Sequence, residues 1–300
     1  MTLYTVKKID ITDGETLAYR ETESFKDVFL LLHGNMSSSV HFEELMDGLS
    51  DDFTVISLDL PGFGDSSYIK DRRRLKSYAE AVEQFLTAKK ISYLTVLGWS
   101  TGGGVALELA RLIPESIKQV YLLDSVGVKG FEMYKKDGNH QPIISERLST
   151  RDEIAHDPVQ VLPIITAYQN QDREFLKFVW NATIYNKKQP SDKQYDKYLD
   201  GMLKQRNLID VDLSLVYFNI TDDFNGVVQG DGGYKEIVCP ITIIHGSEDL
   251  VVPLAESQRT NELFGEQSEL IVFENCGHSI LTDDLDNLLE TIKETFKGGI

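Results

Sequence analysis

The residues best suited to chemistry lie in the stretch VLGWSTGGGVALELA, which begins at Val96. It places Ser100 and four glycines between an apolar run typical of a buried strand and a segment of helical character. Two interpretations fit a Gly-x-Ser-x-Gly pattern at such a junction. The glycines either serve only close packing, or they hold a serine hydroxyl on a strained strand-to-helix turn as a nucleophile. The second interpretation requires tiny residues two positions either side of the serine, and Gly98 and Gly102 meet that requirement.

A serine hydroxyl is a poor nucleophile unless a base accepts its proton and an acid orients the base. His278 follows the last apolar run, in ENCGHSI, and Asp249 follows the preceding one, in IIHGSEDLVVP. The chain order Ser, Asp, His is one in which such groups are known to converge. We therefore expect acyl transfer if these side chains meet above one edge of a sheet.

Short apolar runs rich in Val, Ile and Leu predict strands buried on both faces, as parallel strands are. Between them, apolar residues at helical spacing predict helices, and two more strands are expected around Asp13-Gly14. The alternation predicts an α/β fold with a mostly parallel sheet covered by helices on both faces. The predicted parallel strands lie within residues 28–34, 53–62, 94–100, 120–127, 241–246 and 269–277, and the helices within 75–89, 104–112, 254–264 and 284–297.

The recurring apolar runs that predict strands stop at Val128 and resume at Ile241. The segment between them carries many aromatic residues among predicted helical turns. We predict a mostly helical insertion into one sheet, with core residues 1–127 and 238–300 flanking a lid at 128–237. The loop TDDFNGVVQGDGG within it is acidic, but its glycine and closing glutamate fall at the wrong offsets for calcium, so a solvated loop is expected.

The chain resembles the α/β-hydrolase family over nearly its whole length apart from the lid. The matching segments are Gly98-Trp99-Ser100-Thr101-Gly102, His33-Gly34, DLPGFGDS at 59–66, GSEDLVVP at 246–253 and Gly277-His278. The resemblance implies a doubly wound sheet with a helical cap inserted after the sixth strand. Because relatives that act on halides or epoxides use an aspartate nucleophile, Ser100 excludes those two activities.

The resemblance also assigns the neighbours of the serine. It implies an oxyanion hole made by the backbone amides of Thr101 and Asn35, with Met36 as the second choice to Asn35. Met36, His41 and Trp99 are expected to line the substrate pocket. Asp124 is an alternative acid, but we expect Asp249 because its Gly-x-x-Asp-x-x-Val-Pro context matches the majority pattern.

We expect the remaining histidines to have structural roles and not catalytic ones. We expect His33 to brace the oxyanion loop and His245 to pack at a strand end. His140 and His156 lie in the lid, where we identify no acidic partner for either.

The amino-acid composition indicates which classes of partner the protein is expected not to bind. With 48 Asp and Glu against 30 Lys and Arg, the chain should be repelled by nucleic acid and anionic membranes. No apolar run approaches the roughly 20 residues of a membrane helix, and the N-terminus lacks the apolar region of an export signal.

Two cysteines beside buried strand ends fit reduced thiols, so a cytoplasmic location is expected. No dinucleotide fingerprint, phosphate loop or metal-ligand cluster occurs, so we expect no cofactor and no metal.

The resulting functional hypothesis is hydrolysis of a small or medium, largely apolar ester or related acyl compound through an acyl-enzyme. A lactonase, a carbon–carbon bond hydrolase or a cofactor-free perhydrolase would use the same three side chains. A ligand-sensing protein that keeps the hydrolase core is a further alternative. The sequence does not predict the oligomeric state.

Overall fold

The computed structural model describes residues 4–24 and 26–296. Eight of its strands form one sheet in the order β1-β2-β4-β3-β5-β6-β9-β10, and β7 pairs with β8 in a separate hairpin. The strands are β1 (Lys7–Asp10), β2 (Thr16–Glu21), β3 (Val28–Leu32), β4 (Thr54–Leu58), β5 (Leu94–Trp99), β6 (Ile117–Leu123), β7 (Tyr134–Lys136), β8 (Pro142–Arg147), β9 (Ile241–Gly246) and β10 (Ser268–Phe273).

Along this order the strands from β4 to β10 pair in parallel, and β2 pairs antiparallel with both of its neighbours, β1 and β4. The central strands β3 to β6 and β9 are buried almost throughout, which explains their continuous apolar sequences. The predicted α/β fold with a mostly parallel sheet is confirmed. A parallel sheet needs a crossover between successive strands, and here helices provide it.

Eleven α-helices lie in the described residues. They are α1 (Glu43–Leu49), α2 (Leu75–Lys89), α3 (Thr101–Leu112), α4 (Arg151–Ala155), α5 (Leu162–Asn170), α6 (Arg173–Thr183), α7 (Asp192–Met202), α8 (Leu208–Val216), α9 (Leu254–Phe264), α10 (Ile280–Asp283) and α11 (Leu285–Thr295). The predicted bounds of α2 and α9 agree with the structure. The helix predicted at 284–297 begins one residue later, at Leu285, and ends at Thr295 because Phe296 is extended, while Lys297 lies outside the described residues.

Two hydrophobic clusters cover the two faces of the sheet. One takes in the buried faces of α2 and α3, and the other takes in α1 and α11. Helix α8 contributes to both, because Val211 and Leu215 belong to the first cluster and Leu213 and Val216 to the second. This helix therefore ties the segment between β6 and β9 to the sheet on both sides.

The segment between β6 and β9 holds helices α4 to α8 and also the hairpin β7–β8, which the sequence analysis missed. The hairpin is short and mostly exposed, so it lacks the apolar alternation that identifies a strand. Its turn does carry a signal in Asp137-Gly138, where the Asp137 carboxylate accepts hydrogen bonds from the backbone amides of Asn139 (2.8 Å) and Gln141 (2.9 Å).

The acidic loop that follows α8 forms ion pairs with lysine and arginine. Asp222 pairs with Lys235, Asp223 with Lys129 and Asp231 with Arg111, each at 2.7 Å. These contacts fit the predicted solvated loop. Among the described helices, none is long and apolar enough to cross a bilayer.

The turn between β5 and α3 brings three backbone segments very close together. A Cβ atom on Gly98 would overlap the carbonyl of Gly102, and a Cβ on Gly102 would overlap the carbonyl of Leu32 at the end of β3. The helix consequently begins at Thr101, three residues before the predicted start at Gly104. Tertiary packing overrides the poor helix propensity of the glycines here.

We predict that Gly102→Ala lowers the free energy of unfolding by at least about 3 kcal/mol, because the new methyl group meets backbone atoms that cannot rotate away. Urea denaturation measures this change. Gly138→Ala is the matched control, since a Cβ there meets no atom within 4 Å. Equal stabilities of the two variants would contradict the packing argument.

Candidate active site

A cavity of about 270 Å³ opens at the carboxyl ends of the central strands. Ser100 and His278 both line it, as do Gly34 and Asn35 from the loop after β3. Its walls are mostly apolar and include Trp180 from the inserted segment. This is the position where doubly wound α/β sheets place their ligands.

Ser100 stands on the turn from β5 into α3 with φ of 56° and ψ of −121°. Backbone hydrogen bonds hold this left-handed conformation: the Ser100 amide donates to the carbonyl of Leu123 (3.0 Å), and the Ser100 carbonyl accepts from the amide of Gly103 (3.0 Å). Such a conformation costs a non-glycine residue about 1 to 3 kcal/mol and persists only where its surroundings enforce it. Among the described residues the Ser100 hydroxyl has no hydrogen-bond partner, so it is free to face a ligand in the cavity.

His278 and Asp249 are in direct contact. The Nδ1–H of His278 donates to Asp249 Oδ2 at 2.7 Å, which leaves Nε2 of the imidazole as a proton acceptor. The His278 carbonyl accepts a hydrogen bond from Trp99 Nε1 (2.8 Å), so the residue after Gly277 is anchored next to the serine turn. The geometry thus brings together a base and the acid that orients it.

The Asp249 carboxylate is nearly inaccessible to solvent, yet it is held in its charged form. Burial raises its pKa, but the charge and hydrogen bond of His278 and the amides of Val251 (2.7 Å) and Val252 (2.9 Å) more than compensate. The net effect keeps the pKa of Asp249 below its usual range. An ionised acid in this position stabilises a protonated imidazole.

Asp124, the alternative acid, lies beside this pair without contacting the imidazole. Its Oδ1 accepts from the amide of Gly246 (2.8 Å), and its Oδ2 is buried with no hydrogen-bond partner among the described residues. Burial and the nearby charge of Asp249 raise the pKa of Asp124 well above its usual range, so we expect it to be protonated. The geometry therefore favours Asp249 over Asp124 as the partner of His278.

His245 packs at the end of β9, as predicted, and also approaches Asp249 Oδ2 at 3.5 Å. With Asp124 and Asp249 it forms a group whose potential metal-ligating atoms lie within 4.8 Å of one another. Both ring nitrogens of His245 are already hydrogen-bonded, because Nε2–H donates to the Val252 carbonyl (3.0 Å) and Nδ1 accepts from Ser257 (2.8 Å). Burial lowers the pKa of His245, which favours the neutral ring that these two bonds describe.

The two amides expected to form the oxyanion hole are unpaired among the described backbone groups. That of Thr101 is the first of α3, where the helix dipole favours negative charge, and that of Asn35 follows Gly34. A Cβ on Gly34 would lie 2.8 Å from the Ser100 Cβ, so glycine is needed for this loop to approach the serine. The Met36 amide, our second choice, is instead bound by Asn35 Oδ1 and Gln205 Oε1, both at 3.0 Å.

His33 braces this loop, as predicted. Its Nε2 accepts from the Leu60 amide (3.1 Å), so its Nδ1 carries the proton and donates to the Gly34 carbonyl (2.8 Å). Burial lowers the pKa of His33 and favours this neutral form.

Of the three residues expected in the pocket wall, Met36 and Trp99 line the cavity and His41 does not. His41 lies behind the wall, stacked on Tyr198 of α7 with ring centroids 4.3 Å apart and close to Trp180 at 5.4 Å. The cause is the turn at residues 39–42, which directs this side chain toward α7. Burial there lowers the pKa of His41 to about 3.

His140 and His156, the two histidines between β6 and β9, lie away from the cavity on exposed surface. His140 is part of the turn between β7 and β8. His156 has an acidic partner that we did not identify from the sequence, since its Nδ1 lies 3.5 Å from Asp152 of α4. Because α4 places residues four apart on the same face, helical spacing was the signal for this pair.

Asp212 is a cavity residue that the sequence analysis missed. It projects from α8, and its Oδ1 accepts a hydrogen bond from Asn35 Nδ2 at 2.9 Å. Gln205 completes the network by donating to Asn35 Oδ1 (2.7 Å) and accepting from Tyr168 (3.0 Å). The available signal was an acidic residue inside the apolar helical run LIDVDLSLV.

Burial and the charge of Asp157 raise the pKa of Asp212 from 3.8 to about 7. An acid whose pKa is higher in the folded state binds more protons there, so between about pH 4 and pH 7 folding stability falls as pH rises.

We therefore predict that Asp212→Asn, which removes this charge, gains stability relative to the unchanged protein as pH increases from 5 to 8. Of the interval between the two pKa values, about two pH units lie above pH 5, so the gain between pH 5 and pH 8 should be about 3 kcal/mol. Urea unfolding of both proteins at the two pH values measures it. A difference that does not depend on pH would show that Asp212 has an ordinary pKa.

Comparisons with known proteins agree with this architecture. A 2-hydroxy-6-oxononadienedioate/2-hydroxy-6-oxononatrienedioate hydrolase from Pseudomonas is 23% identical over 287 residues, which cover 91% of this chain and 89% of that protein. An uncharacterized protein from Mycobacterium tuberculosis is also 23% identical, over 93% of this chain and 80% of its own length.

Among solved structures, an esterase from Exiguobacterium antarcticum superimposes with a TM-score of 0.74 at 19% identity, covering 98% of this chain and all of that one. A family profile described as alpha/beta hydrolase fold matches residues 27–285. The chain belongs to the α/β-hydrolase family.

Proposed function

We propose that this protein is a serine hydrolase that cleaves carboxylic esters through an acyl-enzyme. The observation that carries the proposal is the 2.7 Å contact between Asp249 and His278, whose imidazole lines the same cavity as the hydroxyl of Ser100. The names of the Pseudomonas hydrolase and the Exiguobacterium esterase are consistent with it.

In the proposed reaction Ser100 Oγ attacks the ester carbonyl carbon while His278 Nε2 accepts its proton. The amides of Asn35 and Thr101 stabilise the negative charge on the carbonyl oxygen. Collapse of the tetrahedral intermediate breaks the bond to the alcohol, which takes the proton from His278. A water molecule then repeats the sequence on the acyl-enzyme and releases the acid.

The cavity supports a small or medium substrate with a largely apolar acyl or alcohol group. Its volume of about 270 Å³ is small for a ligand site, and apolar side chains dominate its walls. Trp180, Val179 and Leu208 come from the segment at 128–237, so we propose that this segment serves as the cap over the site.

The substrate class of the Pseudomonas relative fits this cavity less well. A dioate carries two carboxylates, which need cationic partners when they are taken out of water. The described residues that line the cavity include no lysine or arginine, and they do include the carboxylate of Asp212. An ester without negative charge is therefore the better candidate.

We also propose that the protein acts on a small-molecule substrate, binds neither nucleic acid nor membranes, and has a cytoplasmic location. The location rests on Cys239 and Cys276, which are both free and buried.

We predict that Ser100→Ala abolishes hydrolysis of p-nitrophenyl butyrate and labelling by a fluorophosphonate probe, because both require the Ser100 oxygen as nucleophile. Circular dichroism and thermal unfolding serve as the fold control. If the unchanged protein is folded yet is not labelled, the ligand-sensing alternative gains support instead.

The two neighbouring carboxylates allow a second prediction. Asp249→Asn should lower kcat by about 10⁴-fold, because the amide no longer fixes the imidazole tautomer or stabilises its charge. Asp124→Asn, the matched control, should lower kcat by less than about tenfold, since Asp124 does not contact His278. The reverse ranking in steady-state kinetics would identify Asp124 as the acid.

A further inference from the structure

The proposed cavity has one feature that hydrolysis of a simple apolar ester does not require. Asp212 is the only carboxylate among the described residues that line it, and the only other ionisable group of that lining is His278. The Asp212 side chain is about nine-tenths buried. An apolar ester gains nothing from an acid in this position.

No cation neutralises Asp212 among the described residues. Its recorded polar contact is the neutral amide of Asn35 at 2.9 Å. The charged group that most affects it is the carboxylate of Asp157, and Lys136 already pairs with Asp157 at 2.9 Å. A buried carboxylate without a counter-ion is costly, and a positive charge brought by a ligand would stabilise its ionised form.

The position of Asp212 relative to the reacting atoms is defined by Asn35. The backbone amide of Asn35 is the proposed oxyanion donor, and its side chain binds Asp212. A group that contacts Asp212 therefore lies in the same cavity as the carbonyl of an ester bound at Ser100. Because this cavity has a volume of only about 270 Å³, a short chain of bonds separates that group from the ester.

We propose that the substrate carries a protonated amine a few bonds from its ester carbonyl, and that Asp212 binds this amine. The inference rests on the proposed ester hydrolysis and names its substrate class. The strongly acidic chain, with a net charge of −18, favours the approach of such a cation. Trp180 and Phe131 in the cavity walls provide apolar surface for the remainder of the molecule.

The test compares two esters of matched shape, 2-(dimethylamino)ethyl butyrate and 3-methylbutyl butyrate, in which a protonated nitrogen replaces a CH group. We expect kcat/KM to be about ten- to hundredfold higher for the amine, the range given by one hydrogen bond between charged groups. Asp212→Asn should reduce this ratio to near one. Since the ratio is taken within one enzyme preparation, partial unfolding of the variant cancels.

Asp152→Asn is the control variant, because it removes the same charge from a side chain that is 90% exposed on α4. It should keep the preference of the unchanged protein. A preference that survives Asp212→Asn, or a ratio near one in the unchanged protein, would overturn the inference while leaving ester hydrolysis intact. Equal preference for 2-hydroxyethyl butyrate would also overturn it, since a neutral donor would then suffice.

Binding provides a readout that does not depend on turnover. In the Ser100→Ala background, calorimetry should find the amine ester bound about tenfold or more tightly than 3-methylbutyl butyrate, and Asp212→Asn should remove the difference. If neither ester is hydrolysed but this difference is present, the proposed function fails and the amine site stands. Equal binding of the two esters would overturn the amine site whatever the catalytic result.

Discussion

The close approach of three backbone segments, at the ends of β3 and β5 and the start of α3, is the constraint on which the site depends. At Gly34, Gly98 and Gly102 there is no room for a Cβ atom. Because the segments meet there, the Ser100 hydroxyl and the amides of Asn35 and Thr101 lie at one edge of the sheet. Larger residues at these positions would push the three groups apart. The glycines are therefore required both for close packing of the backbone segments and for the geometry of the proposed reaction.

Two buried carboxyl groups beside His278, those of Asp249 and Asp124, have pKa values shifted in opposite directions by their surroundings. Asp249 is buried but accepts from two amides and from His278, and its pKa is lowered. Asp124 is also buried and accepts from the amide of Gly246, but it lies beside the negative charge of Asp249, and its pKa is raised. Two carboxylates so close cannot both ionise cheaply. The raised pKa of Asp124 and the lowered pKa of Asp249 place the negative charge on the carboxylate that contacts His278.

The sequence predicted features that arise from local patterns. Buried strands have continuous apolar runs, and Asp249 and His278 each follow such a run directly, so their convergence followed from the parallel sheet alone. Asp212 could not be found in this way, because its contact with Asn35 joins residues 177 positions apart through an inserted segment of no regular pattern. His41 was misplaced for a related reason, since the side of the loop on which it lies depends on where α7 packs.

The sheet and the inserted segment contribute different groups to the cavity of the proposed enzyme. Strand ends and the first turn of α3 hold the reacting groups, which any ester needs. The cavity wall opposite them comes largely from helices α6 and α8, and α8 alone packs into both hydrophobic clusters. Asp212 therefore lies on a helix that packs against the residues covering both faces of the sheet. In the proposed complex this packing would hold a charge on the substrate at a defined position relative to the Ser100 hydroxyl.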